Sequence, residues 1–196
     1  MSEETTPRER VRSGGRSEKV RQAVARTVLD LLAEGVVDFG VSDVAARAGI
    51  NRKTVYRWWP TYTDLVREAL GEHSGGVEVP DTGSWPRDLR LLAERLSAFF
   101  ASPVEVSTSA MIAGRREPEL KALILEHFEP VQEQWREVVA RGIARGEVDP
   151  ACSPIAVMNM LVSQLMMAPL MLYRPMAEDE IDALVELVVR ATRPIG

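Results

Sequence analysis

Three features of the sequence predict an all-α fold. Apolar residues recur at helical spacing through most of the chain, no segment shows the alternation and turn pairs of a β-hairpin, and helix start and stop signals separate the periodic stretches. The 196 residues are 45% hydrophobic and 27% charged, enough to bury a core and too apolar for a disordered chain. Gly and Pro, 13 and 12, are ordinary in number and exclude collagen-like and low-complexity classes.

Residues 1–16 are polar and basic, contain Ser13-Gly14-Gly15, and are predicted to form a flexible basic arm. A first helix runs from Ser17, an N-cap with Glu18 in the first turn, to Glu34 ahead of Gly35, with an apolar stripe of Val20, Val24, Thr27, Val28, Leu31 and Leu32. Two short helices follow, about Ser42–Ala48 and Arg52–Trp58, with Gly49 between them. A fourth begins near Thr61, where Thr61-x-x-Asp64 has the form of a capping box, and reaches at least Leu70. The stretch His73–Pro86 is rich in Gly and Pro, lacks periodicity and is predicted to be a linker or loop. Longer helical patterns then cover about Pro86–Phe100, Pro103–Ala113, Pro118–Arg145, Ser153–Tyr173 and Glu178–Thr192, with Ser153-Pro154 a clear start signal.

The net charge of -5 argues against a polyanionic partner until it is resolved along the chain. Met1–Leu70 carries 12 basic and 10 acidic residues, a net of +2, and Gly71–Gly196 carries 12 against 19, a net of -7. Pro7–Pro60 alone has 11 against 6, or +5, concentrated in Arg8, Arg10, Arg12, Arg16, Lys19 and Arg21 and again in Arg52, Lys53 and Arg57. A basic head on an acidic body suits a polyanion-binding module joined to a second domain. Of the 24 basic residues 21 are Arg; the bias extends through the acidic half and is ascribed mainly to genome composition.

Cys152, the single cysteine, makes no internal disulfide or thiolate cluster, and His73 and His127 lack a ligand partner at metal spacing, so neither metal nor cofactor is expected. The longest apolar run, Leu165–Tyr173, is too short to span a bilayer, and the N-terminus lacks the apolar core of a signal peptide. A soluble, cytoplasmic protein is expected. No nucleophile, carboxylate pair or phosphate loop suggests an enzyme.

The block Val41–Trp58, VSDVAARAGINRKTVYRW, meets the demands of a helix-turn-helix. Ala45 is small where the helices cross, Gly49 tolerates positive φ in the turn, and Val44, Ala48, Ile50, Val55 and Trp58 are spaced to face inward. Asn51, Arg52, Lys53, Thr54, Tyr56 and Arg57 remain outward, where they can bond to phosphates and base edges.

VLDLLAEG (Val28–Gly35), Phe39, the block Val41–Trp59 and WPTYTDL (Trp59–Leu65) together resemble the TetR family of transcriptional regulators, closely so over Ser17 to about Leu70. The resemblance implies an N-terminal three-helix helix-turn-helix DNA-binding domain with a linking helix (17–70), and a C-terminal helical-bundle ligand-binding and dimerisation domain (71–196). It implies that Ser42 caps the second helix and reaches a phosphate, that Arg52, Lys53 and Thr54 face the groove, and that Tyr56 contacts a phosphate or base. At the start of the fourth helix, where the family commonly has Lys, stands Tyr62, whose hydroxyl can bond to a phosphate without adding charge. Trp59 takes an aromatic core position.

In the second domain, Phe99, Phe100, Met111, Ile124, Phe128 and Trp135 are the apolar candidates for an effector pocket, with Asn159 and Gln164 to orient a ligand and Arg115, Arg116 and His127 as further polar groups. Met158–Leu172 and Ile181–Val189 are apolar around most of their circumference, which marks helices buried on more than one side. Met160, Ser163, Met167, Met171, Leu184, Leu187 and Val188 are the expected dimer contacts. The function that follows is a homodimeric repressor of a palindromic double-stranded operator, released by a small, largely apolar effector. The alternative is a helical small-molecule-binding or carrier module without operator binding.

Overall fold

A computed structural model of the chain describes residues 14–74, 77–114 and 117–195. The arm residues Arg8, Arg10 and Arg12, the Arg16 side chain, and Arg115 and Arg116 lie outside that description. Among the described residues there are nine helices and no strand: α1 Gly14–Ala33, α2 Val41–Ala48, α3 Arg52–Trp58, α4 Tyr62–Ser74, α5 Trp85–Phe100, α6 Pro103–Ala113, α7 Pro118–Ala144, α8 Pro154–Leu172 and α9 Glu178–Ala191.

Local chemistry sets most of these boundaries. Gly49 ends α2 at φ 65° and ψ 28°, and the N–H groups of Gly49 and Ile50 donate to the carbonyls of Ala46 and Ala45. The Asn51 Oδ1 caps α3 by accepting the Lys53 N–H at 2.9 Å. Asp64 Oδ2 accepts from both the N–H and the hydroxyl of Thr61, at 3.1 and 2.6 Å, while the Asp64 N–H donates to Thr61 Oγ1, so the predicted capping box forms. The cap of α2 differs from expectation. Gly40, not Ser42, holds that position, and its N–H donates to Asp43 Oδ2 at 2.7 Å, leaving the Ser42 hydroxyl available to another partner. Helix α1 is already helical at Gly14, the first described residue, ahead of the expected start at Ser17, since glycine lowers helix propensity without forbidding the conformation.

The first three helices enclose a small core of Val24, Val28, Leu32, Val44 and Val55, closed by Leu65 and Ala69 of α4. Polar clasps hold it from outside. Glu68 accepts from the Arg21 guanidinium at 2.9 Å and from the Trp59 indole N–H at 3.1 Å, and Arg47 pairs with Glu34 at 3.0 Å. These tie α1, the end of α3 and α4 into one unit, which fixes the direction α3 presents.

The second core is built on α5, with Leu89, Leu92 and Leu96 fully buried against α7, α8 and α9. Trp85 is buried at its base: its indole N–H donates to Thr192 Oγ1 at 3.2 Å and its backbone N–H to Glu147 Oε2 at 2.8 Å. Gly142 lets α7 approach this ring, since a Cβ there would lie 2.8 Å from Val148 Cγ2 and 3.3 Å from Trp85. The described stretch 77–84 that follows α4 is pinned rather than loose. Arg141 donates to the Pro80 carbonyl at 2.6 Å and Arg95 to that of Glu78 at 2.7 Å. Asp88, fully buried, accepts from the N–H and hydroxyl of Thr82 at 2.6 and 2.7 Å and from Arg145 at 3.3 Å. Burial alone would raise the Asp88 carboxyl, but the Thr82 hydrogen bonds and Arg145 together hold it below its usual value.

Helix α8 carries no charged residue over nineteen positions and is, by length and composition, long and apolar enough to cross a membrane, contrary to the expectation from its uninterrupted apolar run. Packing accounts for part of this character, since Val157, Met158, Leu161, Leu165 and Ala168 are buried against the bundle. The opposite face is open.

Helix α4 joins the two cores. Arg67 pairs with Glu126 of α7 at 2.9 Å, His73 Nε2 lies 3.0 Å from Glu105 Oε1 of α6, and Ser74 Oγ lies 2.6 Å from His127 Nε2 of α7. Burial holds the His127 imidazole below its usual 6.5, against the opposing pull of the Leu70 carbonyl, so folding favours the neutral ring. The resulting stability is fully present above pH 6.5 and is lost as the pH falls from there toward the folded-state value. The thermal midpoint should therefore drop as the pH is lowered below 6.5, and His127→Gln should flatten that drop. Superimposable profiles for the two proteins would contradict this.

Candidate nucleic-acid interface

Helix α3 lies across α2 with Val55 as its buried anchor and its other side open. Asn51, Arg52, Lys53, Tyr56 and Arg57 are exposed and Thr54 is half-buried, so the predicted outward set occupies one surface. Within it three side chains form a cluster. Ser42 Oγ and Tyr56 Oη share a hydrogen bond at 3.4 Å, Arg52 donates to the same Oη at 3.3 Å, and the Arg52 guanidinium lies 5.1 Å from the centre of the Tyr56 ring. The Ser42 hydrogen bond, followed by that from Arg52, lowers the Tyr56 phenol below its usual value. This cluster offers hydroxyl and guanidinium donors a few ångströms apart, the set that grips a phosphate oxygen. Asn51 is partly spent, because its Oδ1 caps α3 and only its amide nitrogen can donate to a partner.

Two sequence expectations change here. Trp58 does not face inward: it is 37% exposed and lines a surface concavity with Arg21, Asp64 and Glu72, while Trp59 beside it fills the core position. Tyr62 is half-buried against Phe39, ring centres 5.0 Å apart, and its phenol is pushed up to about 12 by burial and then by Glu117 and Glu119. The Tyr62 hydroxyl thus feels the acidic start of α7, an unfavourable setting for a phosphate.

In the C-terminal bundle Phe99, Phe100, Ile124, Phe128 and Trp135 are buried and Met111 is half-buried beside them. Phe99 is the hub, with ring centres 5.3 Å from Phe100, 5.8 Å from Phe128 and 6.4 Å from Trp135. Asn159 and Gln164 do not join this group. Both are exposed and line a groove of about 590 Å³ with Met160, Ser163, Leu184 and Leu187. Met160, Met167, Met171 and Leu187 are exposed on α8 and α9, Met171 to 62%, and Ser163 is exposed among them. Val188 is fully buried within the protomer and cannot contact a partner from there. Of the polar candidates His127 is half-buried, 2.6 Å from the buried Ser74 hydroxyl, and the half-buried His73 and buried Glu105 lie at the same junction although the sequence reading did not assign them to a pocket. Their juxtaposition depends on α4 meeting α6, and no local pattern encodes it.

The family model described as "Tetracyclin repressor-like, C-terminal domain" matches residues 79–188. The chain is 32% identical over 149 residues to the HTH-type transcriptional regulator AqdR of Rhodococcus erythropolis, a match covering 75% of this chain and 70% of that one. It is 36% identical over 86 residues to the HTH-type transcriptional repressor LfrR of Mycolicibacterium smegmatis, covering 41% and 44%. The solved structure of a TetR transcriptional regulator from Agrobacterium tumefaciens superposes with a TM-score of 0.71 at 18% identity, covering 88% of this chain and 94% of that one, a likeness of fold. An N-terminal helix-turn-helix on a bundle that matches the repressor-like domain over more than half the chain, with a relative similar across three quarters of it, places this chain in the TetR family, a class of transcriptional regulators and not of enzymes.

Proposed function

We propose that the chain is a repressor that works in the cytoplasm, binds a palindromic operator as a homodimer and is released by a small, largely apolar effector. The observation that carries the operator reading is the outward face of α3, where Arg52, Lys53, Thr54, Tyr56 and Arg57 stand on a helix held rigidly by α2. Lys53 and Thr54 would read base edges, while Ser42, Arg52 and Tyr56 would hold a phosphate. The relative LfrR is itself named a repressor.

The exposed apolar side chains of Met160, Met167, Met171 and Leu187, with Ser163 and half-buried Leu184, support pairing of α8 and α9 with a second copy. A contiguous apolar patch of this kind is uncommon on a monomer. Two-fold pairing would set the recognition helices about one DNA turn, roughly 34 Å, apart. Buried Phe99, Phe100, Ile124, Phe128 and Trp135 with Met111 supply the apolar walls for an effector.

Selection of bound sequences from random duplexes tests the reading. An inverted repeat with half-sites about 10 base pairs apart is expected. On that repeat Lys53→Ala should weaken binding about 10- to 100-fold, and Tyr56→Phe by a smaller factor. A protein that enriches no motif, or binds equally well with both substitutions, is not an operator-binding repressor.

A further inference from the structure

The helix-turn-helix unit carries one patch of the wrong sign for DNA. Trp58, Arg21, Asp64, Arg67, Glu68 and Glu72 line a concavity of about 570 Å³ formed by α1, the end of α3 and α4. Asp64, Glu68 and Glu72 stand four residues apart and share one face of α4. The two guanidinium groups are already engaged, Arg21 by Glu68 at 2.9 Å and Arg67 by Glu126 at 2.9 Å. Asp64 is held by Thr61, whereas Glu72 has no hydrogen-bond or ion-pair partner among the described residues. Three carboxylates against two guanidinium groups leave a net of -1 on a unit whose stretch Pro7–Pro60 carries +5.

Two further features of the concavity serve no contact within the fold. Trp58 leaves its indole 37% exposed beside the carboxylates. Gly71, also in the lining, lies inside α4, where glycine weakens a helix, although a Cβ there would meet no atom within 4 Å. An open indole face, carboxylates and the room left by a missing side chain suit a guanidinium, which stacks on the ring while its N–H groups pair with a carboxylate. DNA phosphates are repelled from the same surface.

We propose that the occupant is this chain's own basic segment, residues 1–13, with an arginine of the set Arg8, Arg10 and Arg12 stacked on Trp58 and paired with Glu72. That segment enters α1 at Gly14, seven residues or about 10 Å of helix before Arg21, and thirteen residues span up to about 40 Å, so the concavity lies within its reach. Tethering gives it an effective concentration on the order of millimolar, an advantage over a free cation of the same chemistry. The contact is autoinhibitory. The same arginines suit phosphates, so a segment held at Trp58 is withheld from the duplex, and DNA has to compete for it. The contact itself stands apart from the operator reading; its effect on affinity rests on that reading.

The test uses the full chain in four forms: wild type, a variant with Arg8→Gln, Arg10→Gln and Arg12→Gln together, Glu72→Gln, and all four substitutions combined. The Trp58 indole N–H resonance, assigned by its loss in Trp58→Phe, should shift in the triple variant, and quenching of Trp58 by acrylamide should rise. In the Glu72→Gln background the same three substitutions should add little. Salt at about 0.5 M should move the wild-type resonance toward that of the triple variant. On a scrambled duplex Glu72→Gln should strengthen binding about threefold in the wild-type background and hardly at all in the triple variant. An identical Trp58 resonance and identical quenching with and without the three arginines overturns the contact, because any shielding of the ring then comes from another occupant. Equal strengthening by Glu72→Gln in both backgrounds reflects only the loss of a charge near phosphates and overturns the autoinhibition. If Trp58 senses the arginines but no form binds a duplex, the contact stands and the repressor reading fails.

Discussion

Leu187→Glu is expected to convert the dimer to a monomer and to lower apparent affinity for a two-half-site operator by about 100-fold or more. Leu187 is 55% exposed on α9 and lines a groove with Met160, Ser163 and Leu184, at the centre of the proposed contact. Two-fold symmetry brings two copies of any central residue close together, so one substitution buries two like charges without partners, which a stable interface does not tolerate. Each released monomer keeps its helix-turn-helix but loses the gain from engaging both half-sites at once. Sedimentation equilibrium and gel-shift titration check the two halves of this result. An unchanged dimer would move the interface elsewhere. A monomer that still binds the full site as tightly as wild type would remove the need for pairing.

Trp85→Ala should lower the free energy of unfolding by about 3–5 kcal/mol, with a fall in Tm of roughly 6–20 °C. The ring is 1% exposed, lies against Gly142 on α7 and donates its indole hydrogen to Thr192 at the end of α9. Removing it leaves a cavity at the junction of α5, α7 and α9 and takes away the donor to Thr192 Oγ1, which keeps its own hydrogen bond to the Val188 carbonyl. Trp85→Phe retains most of the packing and should cost less than half as much. Denaturant titration of the three proteins measures this. A loss below about 1 kcal/mol for the alanine variant would mean that the site collapses around the deletion and that Trp85 is not the keystone of the bundle's base.

Much of the architecture could be read from the sequence, because its boundaries are set by local chemistry. Helix α3 spans Arg52–Trp58 as expected, and Asn51, expected only as an outward residue, also caps it. Gly49 adopts the positive φ that the turn requires, and Thr61 with Asp64 forms the expected box. The outward set on α3 was equally legible, because a helix pinned by Val55 fixes the direction of its remaining positions.

What was not legible depends on which of two apolar faces meets which neighbour. In Trp58-Trp59 periodicity cannot say which ring fills the core, and the fold chooses Trp59. Helix α9 is apolar on both sides, so Leu187 and buried Val188 look alike in the sequence although only the first faces outward. Helix α8 has no charge to mark its surface, and its polar residues Asn159 and Gln164 mark the open face rather than the interior. The His73–Glu105 and Ser74–His127 contacts join residues 32 and 53 positions apart, a distance over which no motif speaks.

The central claim is that the α3 surface reads DNA sequence. It is tested most directly by a salt titration of operator binding, using the selected palindrome and a scrambled duplex, with wild type and the Arg52→Ala and Lys53→Ala proteins. The account predicts wild-type preference for the palindrome of at least about 1,000-fold at physiological salt. It also predicts that Arg52→Ala reduces the salt slope by about 1 on both duplexes, while Lys53→Ala reduces chiefly the preference. Equal affinity for the two duplexes, with both variants indistinguishable from wild type, would contradict it.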